Sequence, residues 1–519
     1  MNISKLLAFI IYFLAMLTIG FIFFIKSRKE SGEKDYFLGG RSMGPWVTAM
    51  SAQASDMSGW LLMGFPGSIL AFGMGKTWIG IGLALGTILN WVIMAKRLRR
   101  FSKAANDSIT LPQYLTNRFA SSSPVLKVIC AIIFLIAFTV YVASAFNAGT
   151  TVFCSVIPWF NNHKQLAMIT FAAIILVYTF MGGYKAVCWT DFFQGILMLV
   201  ALLAVPIIML SLGNFDATYK TAFADGVSAF NSNPFTAKWQ DIASGLGWGL
   251  GYFGMPHILV RFMSIKKSSM VKKSASVAIV WVILTLGAAI VIAYLARTFL
   301  FSDGSSLAAT LIPNGIQQNL FIRIVDDIFP GFIAGILLSA IIAASMSTAD
   351  SQLLVASSSF TSDIYKPIIR KDKATDKEIL WVGRIVVLIV SIVALLISLS
   401  GLNSTNAWAS NIMAMVENAW GLFGAAFGPV VILSLFWKRF NYAGAVAGII
   451  AGAVVDIAWL VLFTSTVTEA VVYNTGVYEI IPGFVFGAIV SVIVTLCTKA
   501  PNDKVVAIYN NALDKTIDD

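Results

Sequence analysis

An aspartate interrupts an apolar stretch near the start of the chain, in the sequence SAQASDMSGWLL at residues 51–62. A carboxylate inside a long apolar segment is costly without a functional partner, so Asp56 predicts a site. The surrounding serines and Gly59 weaken a helix, and non-helical backbone within a membrane is stable only where it lines a cavity or is buried in protein. Carbonyl oxygens freed at such a break can surround a small hard cation, and the next half-helix offers N–H groups to a carboxylate.

A second weak helix is predicted in SGLGWGLGYFGMPH, residues 244–257, where five closely spaced glycines precede Pro256. Interrupted hydrophobic segments at corresponding places in two halves of a chain indicate the substrate site of a secondary transporter. The glycines leave one alternative open, namely that they only let neighbouring helices pack closely.

Oxygen ligands for a cation are also spaced along SAIIAASMSTADSQLLV, residues 339–355. Ala344, Ser347 and Thr348 stand at i, i+3 and i+4, so one carbonyl and two hydroxyls can face the same point on a helix. Coordination by oxygen alone, without extra protein charge, suits Na⁺. The hydroxyls could instead bond back to carbonyls of their own helix.

The elements that carry these residues are those of a membrane protein. Of the 519 residues 58% are hydrophobic, and the mean hydropathy of +0.83 lies well outside the range of soluble domains. Thirteen apolar runs are long enough to cross a hydrocarbon core of about 30 Å, and the alternating pattern of a membrane β-barrel is absent. The fold class is therefore all-α, with about 13 transmembrane helices. The runs are residues 6–25, 46–72, 78–94, 125–157, 166–182, 186–212, 242–262, 275–301, 328–358, 380–399, 408–437, 442–463 and 480–497.

Basic residues collect in the connections after runs one, three, seven, nine and eleven, and the connection after run three is an example. Its members are Lys96, Arg97, Arg99, Arg100 and Lys103. Because positive charge concentrates in cytoplasmic loops, the amino terminus is predicted outside and the carboxyl terminus inside. The net charge of +11 then faces anionic membrane lipid and cytoplasm. No nucleic-acid recognition module accompanies the charge, so nucleic acid is not expected as a partner.

The chain reads as a single transmembrane domain over residues 1–499 with a short, polar, exposed cytoplasmic tail over 500–519. The four cysteines and two histidines lack the spacing of a disulfide framework or metal centre. A membrane-embedded enzyme would need an acid/base or metal constellation, and none is evident. An ion channel would call for a continuous pore rather than two interrupted helices.

Several long, ungapped stretches resemble the sodium/solute symporter family, and the resemblance extends over nearly the whole chain. These stretches are DYFLGGRSMGPWVTAMSAQASDMSGWLLMGFPG, TLPQYLTNRF, GGYKAVCWTDFFQ, GWGLGYFGMPHILVRFM, AGILLSAIIAASMSTADSQLLV, WVGRIVVL, GAAFGPVV and YEIIPGFVFG. The resemblance implies a LeuT-type core of two inverted five-helix repeats, at about 45–212 and 240–437, with one helix before it and two after. It also implies that the protein takes up L-proline across the cell membrane with Na⁺ as the coupling ion.

The resemblance further implies a role for individual residues. Asp56 matches an acid linked to sodium affinity, Asp191 an acid on the path of the ion toward the cytoplasm, and Arg41 a functional arginine on the cytoplasmic side. The implied sodium ligands are Ala54, Met57, Ala344, Ser347 and Thr348. The implied lining of the proline site is Ser58, Gly59, Tyr141, Trp248, Tyr252 and Pro256. Aromatic walls suit the flat proline ring, and its ammonium group can lie over Trp248 or Tyr252.

Alternatives remain at this point. A symporter of the same family for another small organic solute, or a carrier coupled to protons, would use much of the same pattern. Asp350, Glu417 and Asp456 also lie at membrane depth in the predicted spans. They could be paired, face water or form a proton-sensitive element, and the sequence does not choose among these.

Overall fold

The computed structural model describes residues 2–27, 32–217, 230–371, 373–402, 407–464 and 473–514. Over these ranges the chain forms helices and connecting turns, without a β-sheet. The helices are α1 (Ile3–Ser27), α2 (Glu33–Leu38), α3 (Pro45–Asp56), α4 (Phe65–Phe72), α5 (Thr77–Leu89), α6 (Ala95–Ala104), α7 (Leu111–Arg118), α8 (Val125–Val156), α9 (Lys164–Met181), α10 (Tyr184–Leu212), α11 (Trp239–Gly247), α12 (Pro256–Ser264), α13 (Val271–Ala296), α14 (Leu307–Leu311), α15 (Leu320–Ile328), α16 (Gly331–Phe360), α17 (Asp376–Ser400), α18 (Ala407–Ser410), α19 (Ile412–Phe436), α20 (Tyr442–Phe463), α21 (Ile480–Cys497) and α22 (Asp503–Leu513).

Ten helical stretches in the described residues have at least 18 residues and are apolar enough to cross a membrane, by length and composition. The all-helical membrane fold predicted from composition is thereby confirmed. Three further predicted runs are the two interrupted segments and the shorter apolar helix α9. The count of thirteen spans stays a prediction.

The first interrupted helix breaks where the small polar residues predict it. Helix α3 ends at Asp56, because Met57 leaves the helical region with φ −86° and ψ 79°. The chain then resumes as a π-helical turn, Trp60–Gly64, that runs directly into α4. A carboxylate, a free carbonyl end and a new helix start therefore lie within a few residues of one another.

The second interrupted helix changes geometry twice. Helix α11 tightens into a 3₁₀ stretch, Trp248–Phe253, and Met255 is extended before α12 begins at Pro256. Proline suits a first helical position because its fixed φ fits the helix and its missing N–H would have no partner there. Glycines here also permit close packing, since a Cβ at Gly249 would lie 2.5 Å from the carbonyl oxygen of Gly82 on α5. The segment is therefore interrupted as predicted, and its glycines also allow close helix packing, while its part in a substrate site stays a prediction.

Burial separates a central group of helices from a peripheral one. In the most apolar window of α16, 83% of residues are buried inside the protein, whereas the figure is 28% for α1, α20 and α21. Helix α16 packs against α1, α3, α8 and α10 and so occupies the centre. The hydroxyls predicted to bind a cation are carried by this central helix and face protein rather than lipid.

The predicted exposed tail contains a helix that packs on the body of the protein. In α22, Tyr509 is 7% exposed and its hydroxyl donates to the carbonyl oxygen of Phe436 at 3.1 Å. Helix α22 also contacts α6. The expectation of an exposed tail is thus wrong for α22, because its apolar face has a partner, and residues 515–519 lie outside the described ranges.

Candidate functional site

Three of the predicted sodium ligands meet between α16 and the broken end of α3. The hydroxyl of Ser347 donates to the carbonyl oxygen of Ala54 at 2.8 Å and lies 3.2 Å from that of Ala344. The hydroxyl of Thr348, one residue on, is fully buried and has no hydrogen-bond partner among the described residues. Ser347 thus makes one hydrogen bond back to its own helix and one to α3. Thr348 makes no bond back to α16. The donor set is oxygen only, which suits a small hard cation.

The helix break explains why backbone oxygens are free at this point. The last four carbonyls of a helix lack the usual partner within it, and two of them here accept from the residues that follow the break. The carbonyl oxygen of Gln53 accepts from the N–H of Met57 at 3.0 Å, and that of Asp56 accepts from the N–H of Ser58 at 3.1 Å. The Asp56 oxygen also lies 3.3 Å from the hydroxyl of Tyr141 on α8. Met57 itself is fully buried at the break.

The carboxylate of Asp56 links the two interrupted helices. Its Oδ2 accepts a hydrogen bond from the hydroxyl of Tyr252 at 2.5 Å, and its Oδ1 has no partner in the described part of the chain. Asp56 is fully buried, and no lysine or arginine forms an ion pair with it among the described residues. The side chain thus places negative potential beside the freed backbone oxygens, where it favours a cation.

Aromatic rings converge beside this carboxylate. The ring of Trp248 lies 6.2 Å from that of Trp60 and 6.4 Å from that of Trp420, and Tyr252 lies 5.0 Å from Trp420. The indole N–H of Trp420 donates to the carbonyl oxygen of Trp248 at 2.8 Å and fixes the 3₁₀ stretch. Trp60 and Trp420 were not predicted. The position of Trp60 directly after the predicted break could have indicated it. Nothing in the sequence around Trp420 indicates a place in the site.

The remaining predicted substrate positions lie at the same two breaks. Ser58 is 1% exposed, and its hydroxyl is 3.5 Å from the N–H of Trp60. Gly59 packs tightly on α8, where an added Cβ would lie 2.6 Å from the Cβ of Ala148. Pro256 begins α12. Any side chain at position 59 would push α8 away from the break.

Asp191 belongs to a separate buried network. Its Oδ2 accepts from the hydroxyl of Ser51 at 2.7 Å and lies 3.2 Å from Nη2 of Arg261. Nη2 of Arg261 also donates to the hydroxyl of Ser351, one turn along α16 from Ser347, at 2.5 Å. Neither carboxylate oxygen of the fully buried Asp350 has a hydrogen-bond partner in the described ranges. Arg261 was missed, although a charge within an apolar run is the signal that identified Asp56.

Arg41 precedes α3 and contacts several backbone segments. Its Nε pairs with Asp107 at 2.7 Å, Nη1 donates to the hydroxyl of Ser102 at 3.1 Å, and Nη2 donates to the carbonyl oxygen of Ser108 at 2.8 Å. Nη1 also donates to the carbonyl oxygen of Met263 near the end of α12. One guanidinium therefore connects the segment before α3, the α6–α7 region and the second broken helix.

Comparisons with known proteins agree with this architecture. The model of the Sodium:solute symporter family matches residues 36–452. The Sodium/proline symporter of Escherichia coli (strain K12) is 42% identical over 501 residues, which cover 96% of this chain and 94% of that relative. The Osmoregulated proline transporter OpuE of Bacillus subtilis (strain 168) is 40% identical over 503 residues, 96% of each chain.

Solved structures share the fold at low sequence identity. A Na⁺-coupled sialic acid symporter in a substrate-bound outward-open state has a TM-score of 0.72 at 20% identity, covering 96% of this chain and 99% of that one. MHP1, a nucleobase-cation-symport-1 family transporter, has a TM-score of 0.52 at 14% identity, covering 92% and 98%. The fold class is thus that of LeuT-type transporters. With its apolar helices and a family match over most of its length, this chain is a multi-pass membrane protein that belongs to the sodium:solute symporter family.

Proposed function

We propose that this protein couples the uptake of L-proline to the inward movement of Na⁺ across the cell membrane by alternating access. The observation that carries the proposal is the contact of Ser347 with the carbonyl of Ala54, which joins α16 to the broken α3 beside a carboxylate and a group of aromatic rings. Relatives named sodium/proline symporter are about 40% identical over nearly the whole chain, which supports the choice of substrate. The protein acts as a transporter and catalyses no chemical reaction.

Sodium binds between α3 and α16 in this proposal. Its ligands are the carbonyl oxygens of Ala54, Met57 and Ala344 and the hydroxyls of Ser347 and Thr348. Support comes from the unpartnered, fully buried hydroxyl of Thr348 and from the negative potential of Asp56. An ion held there ties the two helices together and so favours one arrangement of the bundle over another. Because coupling is reciprocal, sodium raises proline affinity and proline raises sodium affinity by the same factor.

Proline binds across the two breaks. Trp248, Tyr252, Tyr141 and Pro256 line its ring and ammonium group, and the half-helix start at Ser58 and Gly59 lies at its carboxylate, because half-helix amino termini favour anions. The convergence of Trp248, Trp60 and Trp420 supports an aromatic enclosure. The secondary ammonium group gains from lying over an aromatic face once water is excluded.

The remaining assignments are part of the same proposal. The domain spans residues 1–499, with inverted repeats at about 45–212 and 240–437, the amino terminus outside and the carboxyl terminus in the cytoplasm. Asp191 and its network receive the ion on its way inward. Arg41 holds the cytoplasmic side closed while proline and sodium are loaded from outside.

Uptake of labelled proline into proteoliposomes tests the function directly. An inward sodium gradient is expected to drive accumulation above the equilibrium level, and dissipation of the gradient by a sodium ionophore is expected to release it. Excess unlabelled L-proline should compete, and larger or acyclic amino acids should compete poorly. Accumulation of another solute but not proline would overturn the substrate, and accumulation driven by a proton gradient alone would overturn the coupling ion.

Loss of the Arg41 contacts is expected to slow transport more than to weaken binding. We expect Arg41→Gln to lower the maximal uptake rate by about tenfold. A tenfold change corresponds to about 1.4 kcal/mol in the activation free energy, which the loss of several buried charged hydrogen bonds can supply. Asp107→Asn should have a smaller effect, because the other three contacts of Arg41 remain. The measurement is the initial uptake rate against proline concentration, with the exposed Lys103→Gln on α6 as the control. Equal rates for Arg41→Gln and Lys103→Gln would contradict the role.

The Asp107 contact should persist at neutral pH. Burial opposes ionisation of this carboxyl, but its hydrogen bond from Lys34 and the charge of Arg41 hold its pKa below the ordinary value. A lowered pKa in the folded state contributes stability above the unfolded value of about 4 and loses it as the pH falls through the folded value. Protonation of Asp107 is therefore not expected to change uptake near neutral pH.

A further inference from the structure

Two carboxyl side chains lie deep in the protein, outside the site described above. Asp456 on α20 is 1% exposed, and Glu479, directly before α21, is 2% exposed. Both lie against the same glycine of α19. A Cβ at Gly421 would be 3.2 Å from Oδ1 of Asp456 and 3.4 Å from Cγ of Glu479. The absence of a side chain at position 421 thus lets the two acidic side chains meet at the junction of α19, α20 and α21.

Protein groups form hydrogen bonds to only some of the carboxyl oxygens of Asp456 and Glu479. Oε1 of Glu479 accepts from the amide of Asn418 at 2.9 Å, and the amide oxygen of Asn418 accepts from the indole N–H of Trp408 at 2.8 Å. Oδ1 of Asp456 is buried and has no hydrogen-bond partner in the described part of the chain. Within those ranges neither carboxyl forms an ion pair with a lysine or arginine.

The other charged and titratable groups around the pair do not neutralise it. Glu417 on α19 adds a third carboxyl, and Tyr478 and the more distant Tyr141 are uncharged phenols. Lys76 acts on Glu417 rather than on the pair, and it forms an ion pair with Asp241 at 3.2 Å. Two adjacent carboxylates in a dry interior repel each other and lose their hydration, so both cannot stay ionised without a bound cation.

A proton fits this place better than a metal ion. A proton needs only a donor oxygen and an acceptor oxygen, and the unpartnered Oδ1 of Asp456 beside the Glu479 carboxyl supplies them. Sodium needs a shell of several oxygen ligands. Among the oxygens near the pair, the amide oxygen of Asn418 already accepts from Trp408, and the Tyr478 hydroxyl is held by its bond to the carbonyl of Glu417 at 2.6 Å.

The pair is connected to the aromatic lining of the proposed substrate site. The ring of Tyr478, next to Glu479, lies 5.3 Å from the ring of Trp248. Its hydroxyl holds the backbone of Glu417, three residues before Trp420, whose indole N–H fixes the carbonyl of Trp248. Glu417 also lines a cavity of about 400 Å³ that Lys76 and Ser68 border.

We propose that Asp456 and Glu479 form a proton-binding carboxyl pair whose loading holds Tyr478 against Trp248 and so maintains proline affinity. When the proton leaves, the second negative charge pushes the two side chains apart, and Tyr478 moves with Glu479. The proton is bound and released in place and is not counted as a transported ion.

Infrared spectroscopy tests the pair without any transport assay. The purified wild type is expected to show a protonated-carboxyl C=O absorption that disappears as the pH rises from about 6 to about 9. Asp456→Asn and Glu479→Gln should each remove part of the titrating intensity of that band, and the exposed Asp303→Asn should retain all of it. Unchanged titrating intensity in both pair variants, or no titrating carboxyl band in the wild type, would overturn the proposal. The absence of a titrating band in the wild type is decisive even where a variant fails to fold.

Uptake measurements test the link to substrate, and this arm rests on the proposed function. For the wild type, the KM for proline is expected to rise by about tenfold between about pH 6 and about pH 9, equivalent to about 1.4 kcal/mol. Asp456→Asn, which retains a single carboxyl, should change less than about twofold over the same range. A titrating band together with an unchanged KM in wild type would overturn the link. A carboxyl signal that responds to sodium concentration rather than pH would overturn the choice of a proton.

Discussion

The Ser347→Ala/Thr348→Ala double variant is expected to lose sodium-driven proline accumulation, with apparent sodium affinity falling by about 100-fold or more. Each hydroxyl removed is a ligand to an ion, and hydrogen-bond-type contacts to charged groups contribute roughly 1.5–3 kcal/mol each. Within the described ranges the Thr348 hydroxyl has no hydrogen-bond partner to lose, so its removal is expected to affect the ion rather than the fold. The measurement is the initial rate of proline uptake as a function of external sodium.

A matched control lies on the same helix. Ser339 is also fully buried on α16, but its hydroxyl bonds back to the carbonyl of Gly335 at 2.8 Å. Ser339→Ala should therefore leave sodium affinity within about threefold of the wild type, since a surplus local hydrogen bond contributes little to ion binding. Sodium dependence that is the same in the double variant and in the control would remove α16 from the cation site.

Asp56→Asn is expected to lower sodium affinity by roughly 10- to 100-fold, because it removes the negative charge beside the freed carbonyls in a buried setting. Asparagine keeps the shape and an oxygen that can accept from Tyr252, so the link between the two breaks survives. At saturating sodium, the maximal rate should approach that of the wild type. Uptake against sodium at several fixed proline concentrations separates the two effects.

Tyr252→Phe separates the effect of the Asp56 charge from that of the hydrogen bond between Tyr252 and Asp56. It preserves the Asp56 carboxylate and removes the hydroxyl that donates to it at 2.5 Å. We expect proline affinity to fall by about tenfold and sodium affinity by less, the reverse of Asp56→Asn. If Tyr252→Phe and Asp56→Asn lowered proline affinity and sodium affinity in the same proportion, Asp56 would act only through Tyr252.

Local chemistry made the breaks and the close approach of the candidate ligands predictable. Gly, Ser and Pro weaken helices wherever they occur, so the interruptions at Met57 and before Pro256 followed from residue types alone. The spacing of Ala344 and Ser347 places two oxygens on one face of a helix. In the structure the Ser347 hydroxyl lies 3.2 Å from the carbonyl oxygen of Ala344. That α3 supplies the third oxygen was implied by family resemblance and not by spacing.

Contacts between residues far apart in the sequence could not be predicted in the same way. Arg261 pairs with Asp191 across 70 positions of the chain, and Trp420 reaches Trp248 across 172. Nothing near either residue specifies its partner, because the partner depends on how helices pack. The same holds for Asp456 and Glu479, which meet only because Gly421 on a third helix leaves room for them.

Reciprocal flux in one set of proteoliposomes tests the coupling most directly. Radioactive sodium uptake is measured with and without external proline, and labelled proline uptake with and without external sodium, for the wild type and Ser347→Ala/Thr348→Ala. Coupling through α3 and α16 predicts that each solute accelerates the other in the wild type and that both accelerations disappear in the double variant. Proline uptake that proceeds equally without sodium, or sodium uptake that proline does not change, would contradict it.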